Sequence, residues 1–433
     1  MTSTKPDECL QLDTHRVVNA VITQIGFVVL FYFFTEELFQ LEKMYPFSYS
    51  WTEFLINYQT GFIRRGLIGE ISYRTAWLVN PKLFWLTITF GCNLFILRWY
   101  IDIACSFNFI TVLFAIFTPT LIIFPVYAPE AFGRKDVLVL FATLLITKHA
   151  LAVLQKKATQ LTVNVTYATI SLLYVIIFLT NEILLFFIPL QLCILGVVFR
   201  RKKQGRIAIA WSVFICTMIL FASFYIYNVQ TFPARAQDVC RSWRAVIPSF
   251  PWEILRSQKN AFYYLGLAPK DLAALVSELV KSSPTMGMYL EAILLAYVPV
   301  VYLVIKYKKT LCRAGNERII LENIVSFFAL IIPYALFLSG QDYGRWIYLI
   351  TFHWFVFAMF IISVRNYVIK SSFVIEDDFA NYTQYYNKHQ NKAVLYLLLL
   401  VIYFTFWRLT HWVPPGACPL SGVILSVQKI FIF

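Results

Sequence analysis

The chain has 433 residues, of which 59% are hydrophobic and only 14% charged, and its formal net charge is +14. Soluble globular domains have roughly 25% charged residues, so this composition lacks the polar surface that a water-soluble fold needs. It excludes disordered and collagen-like chains, and nucleic acid as a partner despite the positive charge. The sequence therefore predicts an all-α polytopic membrane protein, in which residues 1–433 form a single integral membrane domain.

Apolar runs long enough to cross a bilayer recur along the whole chain. A transmembrane helix needs about 20 mostly apolar residues, and eleven segments fit that length. They lie at about 17–34, 83–104, 107–125, 137–154, 161–179, 183–199, 207–228, 288–305, 319–339, 347–364 and 393–410. The segment 420–433 is apolar but short, and it fits either a twelfth span or a segment at the membrane surface.

Basic residues beside the spans predict the orientation. Cytoplasmic loops of membrane proteins carry an excess of Lys and Arg. Such residues cluster here at 155–157, 200–206, 306–313 and 365–392. With these clusters inside, the N-terminus is cytoplasmic and two long loops, about 35–82 and 229–287, are periplasmic. We expect interfacial helices in both long loops and a solvated cytoplasmic loop at about 365–392.

The first long outer loop contains the sequence QTGFIRRGLIGE, in which two arginines stand among glycines. Arg64 and Arg65 lie between Gly61 and Gly66, and Glu70 follows. Paired arginines in a glycine-rich turn can present two planar guanidinium groups to a phosphate. The alternative is a tight turn whose arginines reach the membrane surface.

The sequence PEAFGRKD, at 129–136, crowds ionisable residues into a turn between the third and fourth spans. They are Glu130, Arg134, Lys135 and Asp136. Ionisable groups beside hydrocarbon are costly unless they face a polar cavity. Basic side chains can extend to the membrane surface, but the two acids fit that explanation less well. We therefore interpret this turn as part of a functional site.

Two more outer turns carry charges. GQDYGRW, at 340–346, contains Asp342 and Arg345, which either pair with each other or bind substrate. Thr180, Asn181 and Glu182 form the whole link between the fifth and sixth spans. A lone acid in so short a link is typical of the mouth of a cavity. His353 lies within a span and is expected to be structural.

Arginines, carboxylates and aromatic residues on one membrane face suit a lipid that carries sugars and a phosphate or pyrophosphate. Arg and Lys bind phosphate through charge-assisted hydrogen bonds, a carboxylate can deprotonate an acceptor hydroxyl, and cations stabilise the departing phosphate. We assign phosphate or substrate binding to Arg64, Arg65, Arg134, Lys135, Asp342 and Arg345. No nucleotide, hydrolase or metalloprotease motif stands in a suitable context. No cofactor is assigned, and a divalent metal stays open.

The layout resembles polytopic polyprenyl-dependent glycosyltransferases of the GT-C type, with acids in a long first outer loop and a second long loop after span seven. That resemblance implies a carboxylate base in the first loop and a further acidic site. The acids that match are Glu36, Glu37, Glu53 and Glu70 for the first and Glu130 and Asp136 for the second. Of these, Glu37, Glu70, Glu130 and Asp136 are the catalytic candidates. The first loop has no DxD signature.

The chain is also similar to bacterial O-antigen polymerases of the Wzy type in length, span count and outward-facing arginines. Both resemblances imply glycosyl transfer from an undecaprenyl-linked donor at the periplasmic face of a bacterial inner membrane, in O-antigen or capsule biosynthesis. The implied partners are a polyprenyl-linked saccharide donor, an acceptor and membrane lipids. A repeat-unit polymerase and a side-branch sugar transferase both remain open. The alternative is a lipid-linked sugar flippase or a secondary transporter, against which stands the absence of an obvious internal repeat.

Overall fold

The computed structural model is all-helical: the part of the chain that it describes forms helices and turns, without strands. It describes residues 21, 24–36, 38–39, 48–61, 63, 65–155, 160–201, 217, 221, 233–248, 261–262, 283–308, 329, 331–338, 342–369, 398–404, 407 and 409. The expected span at 207–228 lies almost entirely outside these residues, and the terminal segment 420–433 lies wholly outside them.

The helices follow one another along the chain with short connections in its first half. They are α1 (Gln24–Glu36), α2 (Tyr49–Phe54), α3 (Leu67–Arg74), α4 (Pro81–Ala104), α5 (Phe109–Phe117), α6 (Phe124–Tyr127), α7 (Pro129–Phe132), α8 (Asp136–Leu154), α9 (Gln160–Thr180), α10 (Leu184–Arg201), α11 (Pro233–Val246), α12 (Ser283–Lys306) and α13 (Tyr343–Ile369). A 3-10 helix covers Ile332–Leu338.

Four of these helices are long and apolar enough to cross a membrane: α4, α8, and the Tyr289–Lys306 and Tyr343–Val364 parts of α12 and α13. Each coincides with one of the spans expected from the sequence. The described parts of α1, α9 and α10 add shorter apolar helices. The described part of the chain is thus helical, with helices of the length and apolarity that a membrane protein needs.

Helix α8 lies at the centre of the described helices. It packs against α4, α9, α10 and α13, and α13 in turn packs against α10 and α12. Most of α8 and α13 is buried inside the protein, whereas most of α4 and α12 is not. The start of α8 is therefore surrounded by helix ends.

One face of α12 is an exposed stripe of large apolar side chains. The stripe consists of Leu290, Leu294, Val298, Val301 and Ile305, with exposed fractions from 37% to 73%. These positions recur every three or four residues, so they share one helix face. A continuous apolar face of this length is what a helix presents to lipid.

The expected span at 107–125 is helical in its first half only. α5 ends at Phe117 after nine residues, which is about 14 Å of helix, or half of the hydrocarbon thickness. Pro119 explains the break, because a residue before proline avoids the helical conformation, and Thr118 is extended with ψ of 124°. Residues 118–123, between α5 and α6, are all buried, as irregular backbone at membrane depth must be.

Candidate functional site

Charged side chains from five separate segments meet where α8, α10 and α13 begin. We call this group the ionic cluster: Glu53, Arg65, Arg134, Lys135, Asp136, Asn181, Glu182, Asp342 and Arg345. The side chains of Glu53 and Arg134 are 2% exposed, and those of Arg345 and Asp136 are 5% and 6% exposed. Lys135 is fully buried. Arg65, Glu182 and Asp342 are more open, at 19%, 16% and 31%.

Arg65 bridges two carboxylates. Its Nη2 lies 2.7 Å from Oε1 of Glu182, and its Nε donates to both oxygens of that carboxylate at 2.8 and 2.9 Å. Its Nη1 donates to Oε1 of Glu53 at 3.1 Å. One planar guanidinium therefore joins α2 to the link between α9 and α10.

Arg134 and Arg345 converge on one carboxylate oxygen. Oδ2 of Asp342 lies 3.6 Å from Nη2 of Arg134 and 3.0 Å from Nη2 of Arg345. Nε of Arg134 also faces Oε2 of Glu53 at 3.8 Å. Nη1 of Arg345 faces Oδ2 of Asp136 at 3.3 Å. Acidic and basic side chains thus alternate along the series of contacts that runs from Glu182 to Asp136.

Asn181 closes the series into a ring. Its Nδ2 donates to Oδ1 of Asp136 at 2.8 Å, and its neighbour in the chain is Glu182, which binds Arg65. The cluster contains four basic and four acidic side chains, so its formal charges balance. A buried group of charges is stable only when it is paired and hydrogen-bonded, and this arrangement supplies much of that pairing.

Lys135 lies beside the ring and binds its backbone. Its Nζ donates to the carbonyl oxygen of Arg65 at 2.6 Å and lies 5.6 Å from the centre of the Phe54 ring. Arg65 has a positive φ of 64°, a conformation that L-residues rarely adopt and that is often found at functional sites. In this conformation the carbonyl of Arg65 accepts from Lys135, and its guanidinium binds Glu53 and Glu182.

Burial and neighbouring charges within the cluster shift the pKa values of Glu53 and Lys135. Burial opposes ionisation of Glu53, but the charges of Arg134 and Arg65 outweigh it and hold the pKa of that carboxyl below its usual value. Burial lowers the pKa of Lys135 to about 7, although Glu53 acts in the opposite direction. Glu53 therefore stays ionised near neutral pH, while Lys135 titrates there.

Two side chains of α4 hold the turn that delivers Arg134 and Lys135. Nε1 of Trp85 donates to the carbonyl of Gly133 at 3.0 Å, and Nδ2 of Asn93 donates to the carbonyl of Phe132 at 3.1 Å. The acceptors are backbone carbonyls just before α8. Asp136 occupies the first turn of that helix, where a negative charge is favourable.

Gly66 and Gly69, at the start of α3, serve close packing. A Cβ on Gly69 would lie 2.0 Å from the carbonyl oxygen of Ile56, and one on Gly66 would lie 2.2 Å from the ring of Tyr58. α3 therefore lies directly against the preceding segment. These two glycines are explained by contacts within the protein rather than by the approach of backbone N–H groups to a ligand.

A second polar layer lies deeper along the helices that bear the ring. Oγ1 of Thr143 on α8 lies 2.8 Å from Nε2 of His353 on α13 and accepts from Nε2 of Gln191 on α10 at 2.7 Å. Tyr174 on α9 donates to Gln191. Nδ1 of His353 lies 2.7 Å from the carbonyl of Leu349, an acceptor only, so Nδ1 carries a hydrogen. This layer ties together four helices, and His353 has a structural role in it.

Six residues singled out by the sequence meet in the cluster: Arg65, Arg134, Lys135, Asp136, Asp342 and Arg345. Glu70 makes different contacts, accepting from Arg74, from Gln59 and from the backbone of Tyr58. Glu130 is half-buried, and its carbonyl accepts from Ser50. Glu37 and Arg64 lie outside the described residues.

Glu53 contacts both Arg65 and Arg134, but it is not among the residues that the sequence assigns to the site. It was one of four acids in the first outer loop that matched the glycosyltransferase pattern, and nothing in its spacing separates it from the others. The signal available was its position in SYSWTEF, where a lone acid stands among aromatic residues; in the structure, Trp51 and Phe54 on either side of it are buried. Asn181 and Glu182 were marked by the shortness of their link.

Several polar atoms of the cluster lack a hydrogen bond among the residues described. They are Glu53 Oε2, Arg134 Nε, Asp136 Oδ2, and Nε and Nη1 of Arg345. Unsatisfied buried groups are uncommon and costly. Donors and acceptors remain here that can bind an incoming polar group.

Within the described part of the chain, His, Cys, Asp and Glu residues form no group of three suited to a metal. The observations so far define an all-helical protein with membrane-length helices and a buried ionic cluster at one end of them. Comparisons with protein-family models, with curated proteins and with solved structures find no match to this chain.

Proposed function

We propose that the protein is a membrane glycosyltransferase that uses a polyprenyl-linked phosphate or pyrophosphate saccharide as its donor in cell-surface polysaccharide biosynthesis. The observation that carries the proposal is the nearly complete burial of Arg134, Lys135 and Arg345 beside unsatisfied hydrogen-bonding atoms. These cations are paired with carboxylates or with the Arg65 carbonyl, yet N–H groups of both arginines make no hydrogen bond among the described residues, and such donors suit a ligand with several anionic oxygens.

The cluster contains the groups that glycosyl transfer requires. Arginines bind the phosphate and stabilise the charge that develops on it as the sugar leaves. A carboxylate accepts the proton of the acceptor hydroxyl. Glu182 and Asp342 are the more exposed acids, so they are more accessible to an acceptor than Glu53 is.

Site-directed variants test the assignment of the phosphate site. Arg134→Ala and Arg345→Ala should each abolish activity while the protein remains in the membrane at its normal level. Arg134→Lys should not restore activity if the contact needs a planar, two-pronged group. Arg241→Ala is the matched control, because Arg241 is 66% exposed and pairs with Asp238 on α11. Full activity of both Ala variants would refute the site.

The topology belongs to the same proposal: eleven crossings, of which that at 107–125 is interrupted after α5, a cytoplasmic N-terminus, periplasmic loops at about 35–82 and 229–287, and a bacterial inner membrane as the location. A reporter fused after Arg206 should be cytoplasmic, and one fused near Ala236 should be periplasmic. The opposite result would place the ionic cluster on the cytoplasmic side and exclude a periplasmic reaction.

The function itself is tested by the surface polysaccharide of the source strain after deletion and complementation of the gene. Collapse of the polysaccharide ladder to a single-repeat band indicates a polymerase. A full ladder with every rung shifted indicates a side-branch sugar transferase. An unchanged ladder contradicts both.

A lipid-linked sugar flippase or secondary transporter is the second candidate. The deeper polar layer favours it, because Thr143, Gln191 and His353 are fully buried within apolar helices, and transporters place polar groups at that depth. Loss of all repeat-bearing bands, with lipid-linked repeats accumulating on the inner face, would support this function over glycosyl transfer.

A further inference from the structure

Asp342 differs from the other acids of the ionic cluster in its exposure and its partners. Its side chain is 31% exposed, against 2% for Glu53 and 6% for Asp136. Its Oδ2 is the one point on which both Arg134 and Arg345 converge. It therefore lies at the open side of the cluster, between two buried guanidinium groups.

The two arginines retain hydrogen-bonding capacity. Nε of Arg134, and Nε and Nη1 of Arg345, make no hydrogen bond among the described residues. The nearest carboxylate oxygens of Glu53 and Asp136 are 3.8 and 3.3 Å away from Arg134 Nε and Arg345 Nη1, without hydrogen-bond geometry. Three N–H groups on two buried side chains exceed what the single shared oxygen of Asp342 can satisfy, whereas a phosphoryl group offers three oxygens.

We propose that the carboxylate of Asp342 occupies the position of a ligand phosphoryl group between Arg134 and Arg345, and that an entering phosphate exchanges with it. The inference rests on the proposed function, since the phosphate is that of the saccharide donor. The exchange keeps both guanidinium groups paired with an anion throughout, which avoids the cost of an uncompensated buried charge. Asp342 thus lowers the affinity for the donor and sets a threshold for binding.

Removing the competing charge should strengthen phosphate binding. In the purified full-length protein in detergent, Asp342→Asn should bind inorganic pyrophosphate and farnesyl pyrophosphate about tenfold more tightly than the wild type, measured by isothermal titration calorimetry. Tenfold corresponds to about 1.4 kcal/mol. Asp342→Ser serves as a second variant if the amide perturbs folding, which size-exclusion chromatography checks.

Glu182→Gln is the control that separates exchange from simple electrostatics. It also removes one negative charge from the cluster, but the ion pair shown for Glu182 is with Arg65, whereas Asp342 pairs with Arg134 and Arg345. Its gain in affinity should be smaller than that of Asp342→Asn. Equal gains in the two variants would show that net charge alone matters, and would overturn the exchange.

The outcomes also distinguish this inference from the proposed function. If the wild type binds either probe and Asp342→Asn binds it no more tightly, the exchange is wrong while the phosphate site stands. If no variant and no wild-type sample binds either probe, the phosphate site fails and the exchange fails with it. A gain confined to farnesyl pyrophosphate supports exchange with a lipid-linked phosphate, and equal gains with both probes support recognition of the phosphate group alone.

Discussion

Lys135 and Arg65 come from different turns, and the Lys135 ammonium donates a 2.6 Å hydrogen bond to the Arg65 carbonyl. That carbonyl belongs to a residue with a positive φ of 64°, which costs about 1–2 kcal/mol for an L-residue. The side chain of Arg65 meanwhile holds Glu53 and Glu182. An unfavourable backbone conformation is thus offset by contacts at both ends of the residue.

The stability contribution of Lys135 should depend on pH. Its pKa of about 7 in the fold lies below that of an unfolded lysine, near 10.4. The unfolded chain therefore binds more protons between these values, so stability rises with pH above about 7 and is independent of this group below it. The melting temperature of the wild type, relative to Lys135→Met, should increase from pH 7 to pH 9 in differential scanning fluorimetry.

Lys308→Met is the control for the loss of one positive charge, because Lys308 is an exposed lysine after α12. It is measured over the same pH range. A constant difference between wild type and Lys135→Met from pH 6 to pH 9 would contradict a neutral-range titration of Lys135.

Gly69→Ala should destabilise the protein strongly. The added Cβ would lie 2.0 Å from a backbone oxygen of Ile56, so a main-chain segment must move, at a cost of roughly 3 kcal/mol. Gly91→Ala is the matched control, because nothing lies within 4 Å of its Cβ position in α4 and alanine favours a helix over glycine by about 1 kcal/mol. In thermal unfolding, the melting temperature should therefore fall for Gly69→Ala and rise for Gly91→Ala, relative to the wild type.

Asn181→Asp should introduce a repulsion that acid relieves. The new carboxylate would face Asp136, which now accepts the Asn181 amide at 2.8 Å. Two adjacent carboxylates cannot both ionise cheaply, and one takes up a proton as the pH falls. We expect a lower melting temperature at pH 8 that partly recovers at pH 5.5, relative to wild type. Asn181→Ala should show a loss that changes little over the same range.

Trp85→Phe should weaken phosphate binding without removing any charge. The substitution keeps an aromatic ring in the core but removes the hydrogen bond to the Gly133 carbonyl, worth about 1 kcal/mol. The turn that carries Arg134 then loses one of its two anchors on α4. Titration with pyrophosphate should show reduced affinity, and Trp77→Phe, at an exposed tryptophan before α4, should match the wild type.

The contacts between the charged turns were predictable in part. Asp136 is a candidate because ionisable residues beside apolar helices need a polar environment, and Asp342 and Arg345 are candidates because they stand in another charged turn; the structure brings all three into direct contact. The choice of Glu53 over Glu70 was not predictable. It depends on how closely α3 packs against the segment before it, which is a property of the folded backbone. The pairing of Glu70 with Arg74 follows the ordinary i, i+4 spacing.

The end of α5 at Phe117 is marked in the sequence by prolines, although the high hydropathy of the run favours one continuous helix. Pro119 and Pro125 both lie in a run apolar enough to suggest one continuous helix. A proline removes a backbone donor and restricts the residue before it, and these local effects decide the end of α5 and the conformation of 118–123. Composition alone favoured a span, whereas the backbone chemistry favoured a short helix followed by an irregular, buried segment.

The brevity of α5 has a consequence for biogenesis. Nine apolar residues followed by irregular backbone are too short to enter a bilayer as an independent helix, and unpaired peptide groups would oppose their insertion. This segment is therefore expected to settle only after α4 and α8 are in place to surround it. Since it leads directly to Arg134 and Lys135, the ionic cluster would be among the last parts of the protein to form, and assembly defects in neighbouring helices would first appear as a cluster whose charges are not paired.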